Sequence, residues 1–161
     1  MTYEQLLDTA KEEDLTVRER SLRENDGLIR GKRIAIRKDI DTQTAKACVL
    51  AEELGHYYTS VGNILNQQDV RNRKQELQAR LWAYSRMITL DMVLEAKKCG
   101  CRNRYEIAEL FGVTEEFLQN ALDRYQAIYG IAHQIDNYLI CFNPLNIYEI
   151  ESPRGIPERL Y

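Results

Sequence analysis

Residues Val49 to Tyr58, Val-Leu-Ala-Glu-Glu-Leu-Gly-His-Tyr-Tyr, constrain this chain more than any other stretch. Ala47, Leu50, Leu54, Tyr58 and Val61 recur at helical spacing and predict a helix from Asp39 to about Thr59, with Asp41 or Thr42 as its cap. The roughly 100° step per residue puts Glu53 about 100° and His56 about 40° from Glu52. Three ionisable groups therefore share one side of a helix whose other side is apolar. Any fold that contains it must cover the apolar stripe and still find partners for the charges. Gly55 stands mid-helix at a cost of about 1 kcal/mol against Ala, which suggests a neighbour packed on the backbone beside His56.

A second helix is expected over Val70 to Ile88, after a helix end at Val61-Gly-Asn63 and a polar loop through Gln68. Measured from Glu76, Ala79 falls near −60°, Ala83 about −20° and Met87 about 20° away. The carboxylate thus heads a stripe of small and apolar residues on the side expected to face the core. A carboxylate there needs a cation. Arg80, four residues on, is the ordinary helix partner, and a metal ion shared with the first helix is the other candidate. Periodicity leaves both open.

The rest of the chain reads as α+β. Thr2 to Glu13 forms an amphipathic helix, with Thr2 as a possible cap. Leu15 to Leu22 and Leu28 to Ile40 alternate apolar and charged residues around turns at Asn25-Asp-Gly27 and Gly31-Lys32, predicting a small antiparallel sheet. Helices are expected over Thr89 to Lys98, Asn103 to Leu110 and Glu115 to Tyr129. The last two, joined through Gly112-Val-Thr114, look like a helix-turn-helix. Its second helix carries Glu115, Glu116 and Asp123 against Arg124, the reverse of a DNA-reading face, so packing or partner binding is expected of it. Gly130 to Pro144 is expected to be a hairpin turning at Asp136-Asn137, with His133 on its surface.

Composition removes several classes of function. A net charge of −3 and a pI near 5.5 give no bulk electrostatic case for nucleic acid or an acidic membrane. No apolar run approaches the roughly 18 residues of a membrane span, and the first residues do not form a signal peptide, so a cytoplasmic protein is expected. The cysteines at 48, 99, 101 and 141 form no Cys-x-x-Cys pair and read as plain thiols, with Cys48 and Cys141 in the core.

Glu52-Glu-Leu-Gly-His56 is one residue away from the His-Glu-x-x-His helix of zinc peptidases. Such a site takes two ligands at i and i+4, a carboxylate at i+1 to receive a proton from water, and a third ligand from a later helix. Glu52, His56, Glu53 and Glu76 stand in those four places. Leu50-Ala-Glu-Glu-Leu-Gly-His56, Glu76-Leu-Gln-Ala-Arg-Leu-Trp-Ala83 and Ile107-Ala-Glu-Leu-Phe-Gly-Val-Thr114, in that order, resemble the ImmA/IrrE family of metallo-endopeptidases. The resemblance covers about residues 3 to 145. Glu52 stands where that family has its first histidine, in a Glu-Glu-x-x-His form similar to those of phages and integrative elements.

The resemblance implies a zincin-like peptidase core over 1–100 and helix-turn-helix-like helices and a C-terminal hairpin packed on it over 101–145. From Asn146 on, Pro153, Gly155 and Pro157 lead one to expect an extended tail over 146–161. The resemblance also implies Glu53 as general base, His56 and Glu76 as metal ligands and Glu52 in the remaining ligand place. With two carboxylates in the set, zinc is the expected metal and manganese is possible. The implied partner is a helix-turn-helix repressor protein, as substrate or binding partner, with no membrane and no direct DNA contact. The alternative implication is a catalytically degenerate protein that regulates the repressor by contact.

Overall fold

The computed structural model describes residues 1–59 and 70–150. The expected helix end at 61–63 and loop to 68 lie outside the described residues, as does the tail from 151. Helix α1, Tyr3–Glu12, starts in a capping box: Gln5 N–H donates to the Thr2 hydroxyl at 3.3 Å and Thr2 N–H donates to Gln5 Oε1 at 2.8 Å. It buries Leu6 and Ala10 completely, the stripe its periodicity predicts.

Strands β1 (Thr16–Arg20), β2 (Gly27–Arg30) and β3 (Arg33–Arg37) form one sheet in the order β1-β3-β2. The β2–β3 hairpin is antiparallel and turns at Gly31-Lys32 as expected, with Gly31 at φ +56°. The β1 strand runs parallel to β3, so the sheet is mixed rather than wholly antiparallel. Residues 21–26 carry the chain to the far edge, and β3 returns between its two predecessors. Alternating hydrophobicity tells which face of a strand is buried, here Ile34 and Ile36, but not which strand lies beside which.

Helix α2 spans Gln43–Thr59, starting later than Asp39 because Thr42 captures the first turn: Ala45 N–H donates to its hydroxyl at 3.1 Å. Ala47, Leu50 and Leu54 are buried and Tyr58 is half-buried. Helix α3, Val70–Met87, lies against it. A methyl group on Gly55 would sit 2.9 Å from the Ala79 carbonyl carbon and 3.2 Å from its Cα, which identifies the neighbour that the mid-helix glycine implied. A side chain at Gly55 would hold the two backbones apart.

Helices α4 (Leu90–Lys98), α5 (Arg104–Phe111) and α6 (Glu115–Tyr129) follow, capped by Thr89, Asn103 and Thr114. Gly112 ends α5 in the left-handed region at φ +65°, which makes the tight α5–α6 corner. Strands β4 (Ala132–Ile135) and β5 (Tyr138–Phe142) form the expected hairpin. The chain then adds β6, Leu145–Glu149, antiparallel to β5, where the extended tail was expected to begin at Asn146. Only Leu145 and Ile147 of β6 pack on the core, too short an alternation to mark a strand in sequence. Ile140 and Phe142 are buried, whereas Cys141 is only half-buried, on the other face of β5 from the core position expected of it. One buried cluster joins the first sheet, the helices and the second sheet. Among the described residues no helix is long and apolar enough to cross a membrane.

Candidate active site

The charged side of α2 meets β2 on one flank and α3 on the other. Among the described residues Glu53 is the most enclosed acid, 9% exposed, and it lies under the start of β2. A methyl group on Gly27 would fall 2.8 Å from Glu53 Cγ and 2.8 Å from Val49 Cγ1, so only glycine lets the strand come this close. Burial, then the charges of Glu52 and Glu76, push the Glu53 carboxyl up to about 7, against a smaller opposing effect of the Ile29 backbone amide. Near neutral pH this group can both accept and release a proton.

Glu52, His56 and Glu76 sit at the rim. His56 Nε2 is 3.3 Å from Glu76 Oε2, and Arg80 Nε is 2.7 Å from Glu76 Oε1. Glu76 therefore uses both oxygens: it faces the first helix and also takes its own helix partner. Its side chain is 40% exposed, less buried than its place on the α3 stripe suggested. Ala79, Ala83 and Met87 of that stripe are fully buried, and Glu76 marks where it emerges from the core. Glu52 is half-buried, and its carboxyl is raised first by burial, with Arg80 opposing and the charges of Glu76, Glu116 and Asp26 adding.

Among the described residues no three histidine, cysteine, aspartate or glutamate side chains gather into a set able to hold a metal ion. Of the three implied ligands, His56 and Glu76 meet, while Glu52 does not complete the set. As arranged, the donor set does not fit a resident metal. The Arg80 guanidinium instead pairs with Glu76 and opposes the charge of Glu52.

Several contributors escaped the sequence reading. Gly27 looked like part of a turn, and nothing in its neighbours shows that a carboxylate lies across from it. Tyr84 is 3% exposed, and its hydroxyl is pushed up to about 12 by burial and then by Glu52, with Arg80 opposing. Glu116 lies in the first turn of α6 and its charge helps raise the Glu52 carboxyl, which ties the helix-turn-helix-like unit to this site electrostatically. A separate group lies beyond His56, where Tyr58 stacks on Trp82 at 4.7 Å and donates a hydrogen bond to Glu13 at 3.1 Å.

The remaining candidates are structural. His133 lies in β4 with its ring 4.4 Å from that of Tyr129. All four cysteines are free, and burial pushes the Cys48 thiol up to about 11, well away from a reactive thiolate.

Residues 10–123 match the family model Peptidase_M78, described as an IrrE N-terminal-like domain. No curated protein and no solved structure matches the chain.

Proposed function

The chain belongs to the M78 peptidase family, with an IrrE N-terminal-like domain over residues 10–123, and from that premise we propose that it cuts a peptide bond in a partner transcriptional repressor. The family is one of metallopeptidases and implies a metal cofactor, typically zinc. In the setting proposed, cytoplasmic and on a mobile element, cutting the repressor releases the genes it holds silent.

Glu53 carries this reading. A carboxyl enclosed between α2 and β2 and raised to about 7 is matched to proton transfer at neutral pH. It takes the proton of the attacking water and passes it to the leaving amine. The β2 strand lies at the edge of its sheet beside Glu53, the place where an extended substrate segment would add as a further strand. The test is incubation of the purified chain, supplied with zinc or manganese, with a helix-turn-helix repressor encoded beside it. Mass spectrometry should find one discrete cut, absent with Glu53→Gln. An intact repressor would exclude the peptidase reading.

The contact regulator is the second reading, favoured by the Arg80–Glu76 ion pair and the incomplete donor set. On that reading Glu53→Gln and His56→Ala leave relief of repression intact, while changes at Glu115 or Glu116 weaken it.

The close approach of β2 supplies another expectation. Gly27→Ala should destabilise by about 1–3 kcal/mol through overpacking against Val49 and the Glu53 stem. It should also cut hydrolysis at least about tenfold by moving the carboxylate, since small misplacements of catalytic groups are that costly. Chemical unfolding and cleavage assays on the same preparation read both; an unchanged variant would mean the strand and helix have room to spare.

A further inference from the structure

We propose that Arg80 is the resident cation of this site, holding the carboxylate that a metal ion would need, so that an ion enters only by displacing it. The proposal rests on the peptidase reading only for the identity of the ion. Both oxygens of Glu76 are engaged: Arg80 Nε is 2.7 Å from one and His56 Nε2 is 3.3 Å from the other. The bases of these side chains are fixed by packing. Gly55 lies against the backbone of Ala79, and these are the immediate neighbours of His56 and Arg80, so a close approach of the two helices lies one residue from the charged group.

A guanidinium stays charged at every working pH. Its charge opposes the rise of the Glu52 carboxyl as well as pairing with Glu76. Among the described residues His56 and Glu76 meet without a third donor beside them, and the second oxygen of Glu76 is turned to Arg80. Since Arg80 and Glu76 are 48% and 40% exposed, the pair contributes little to folding stability. Its effect falls on ion binding, where a divalent cation must both take Glu76 from the guanidinium and sit beside its positive charge.

Calorimetric titration of the purified full chain with zinc, and separately with manganese, tests this on wild type, Arg80→Gln and Arg80→Lys. Circular dichroism confirms that each variant is folded. Arg80→Gln should bind the ion about tenfold or more tightly than wild type, the scale of removing one unit charge a few ångströms from a divalent ion in a half-exposed site. Arg80→Lys keeps the charge and should stay within a few-fold of wild type. Adding Glu76→Gln to Arg80→Gln should erase the gain.

Equal or weaker binding by Arg80→Gln overturns the proposal and leaves the peptidase reading standing. A tenfold gain that survives Glu76→Gln also overturns it, since the competition is then not for that carboxylate. If neither wild type nor Arg80→Gln takes up zinc or manganese, Arg80 has no ion to compete with and the proposal fails. The peptidase reading is judged separately, by whether the repressor is cut and whether Glu53→Gln stops it.

Discussion

Glu53→Gln is expected to abolish hydrolysis and, at the same time, to make the metal-free protein more stable above neutral pH by about 2–3 kcal/mol. The sign follows from the direction of the shift. The folded-state value near 7 lies above the ordinary 4.5, so the folded protein binds this proton more tightly than the unfolded chain does. That contribution is fully present below about 4.5 and is lost as the pH rises through 7. Urea unfolding of the wild type in chelator should therefore show stability falling between pH 5 and pH 8. Glu53→Gln, neutral throughout and still able to accept from the Ile29 amide, should flatten much of this slope. A wild type equally stable at both pH values would mean that Glu53 is ionised without penalty, and would remove the case for it as a proton carrier. An ordinary structural glutamate would lose stability on substitution; a group kept for chemistry gains it.

Gly55→Ala should destabilise by about 1–2 kcal/mol, the cost of overpacking less the roughly 1 kcal/mol by which alanine is the better helix former. The added methyl meets the backbone of Ala79, carbonyl carbon at 2.9 Å, and backbone cannot swing aside as a side chain can. Relief requires α2 and α3 to separate, which opens the core beneath Leu54 and Met87, both fully buried. Separation would also draw His56 away from Glu76. Thermal unfolding measures the first effect and the ion titration described above the second. A gain of about 1 kcal/mol, the bare propensity difference, would show that the helices are not held by this contact.

Much of the fold was legible because local signals agreed with one another. Thr2, Thr42, Thr89, Asn103 and Thr114 each cap the helix that the adjacent apolar period demands. The alternation around Gly31-Lys32 and Asp136-Asn137 marked both hairpins. The parallel pairing of β1 with β3 was not legible, because pairing depends on where residues 21–26 send the chain. Nor was β6, whose two packed residues form no recognisable period.

For the site, the chain's own order of residues determined which groups come together. Glu52, Glu53 and His56 share one side of α2 by helical geometry alone, and Glu76 with Arg80 follows from a spacing of four. Gly55 announced a close neighbour by standing where any other residue would serve a helix better. The tertiary structure alone decided what those groups do to one another. It named the neighbour as Ala79, brought β2 down on Glu53 through Gly27, and gave Glu76 to His56 and Arg80 together. The physical reason is that periodicity sets the face a side chain occupies, whereas its charge state and partner depend on the desolvation and distances that a second element imposes.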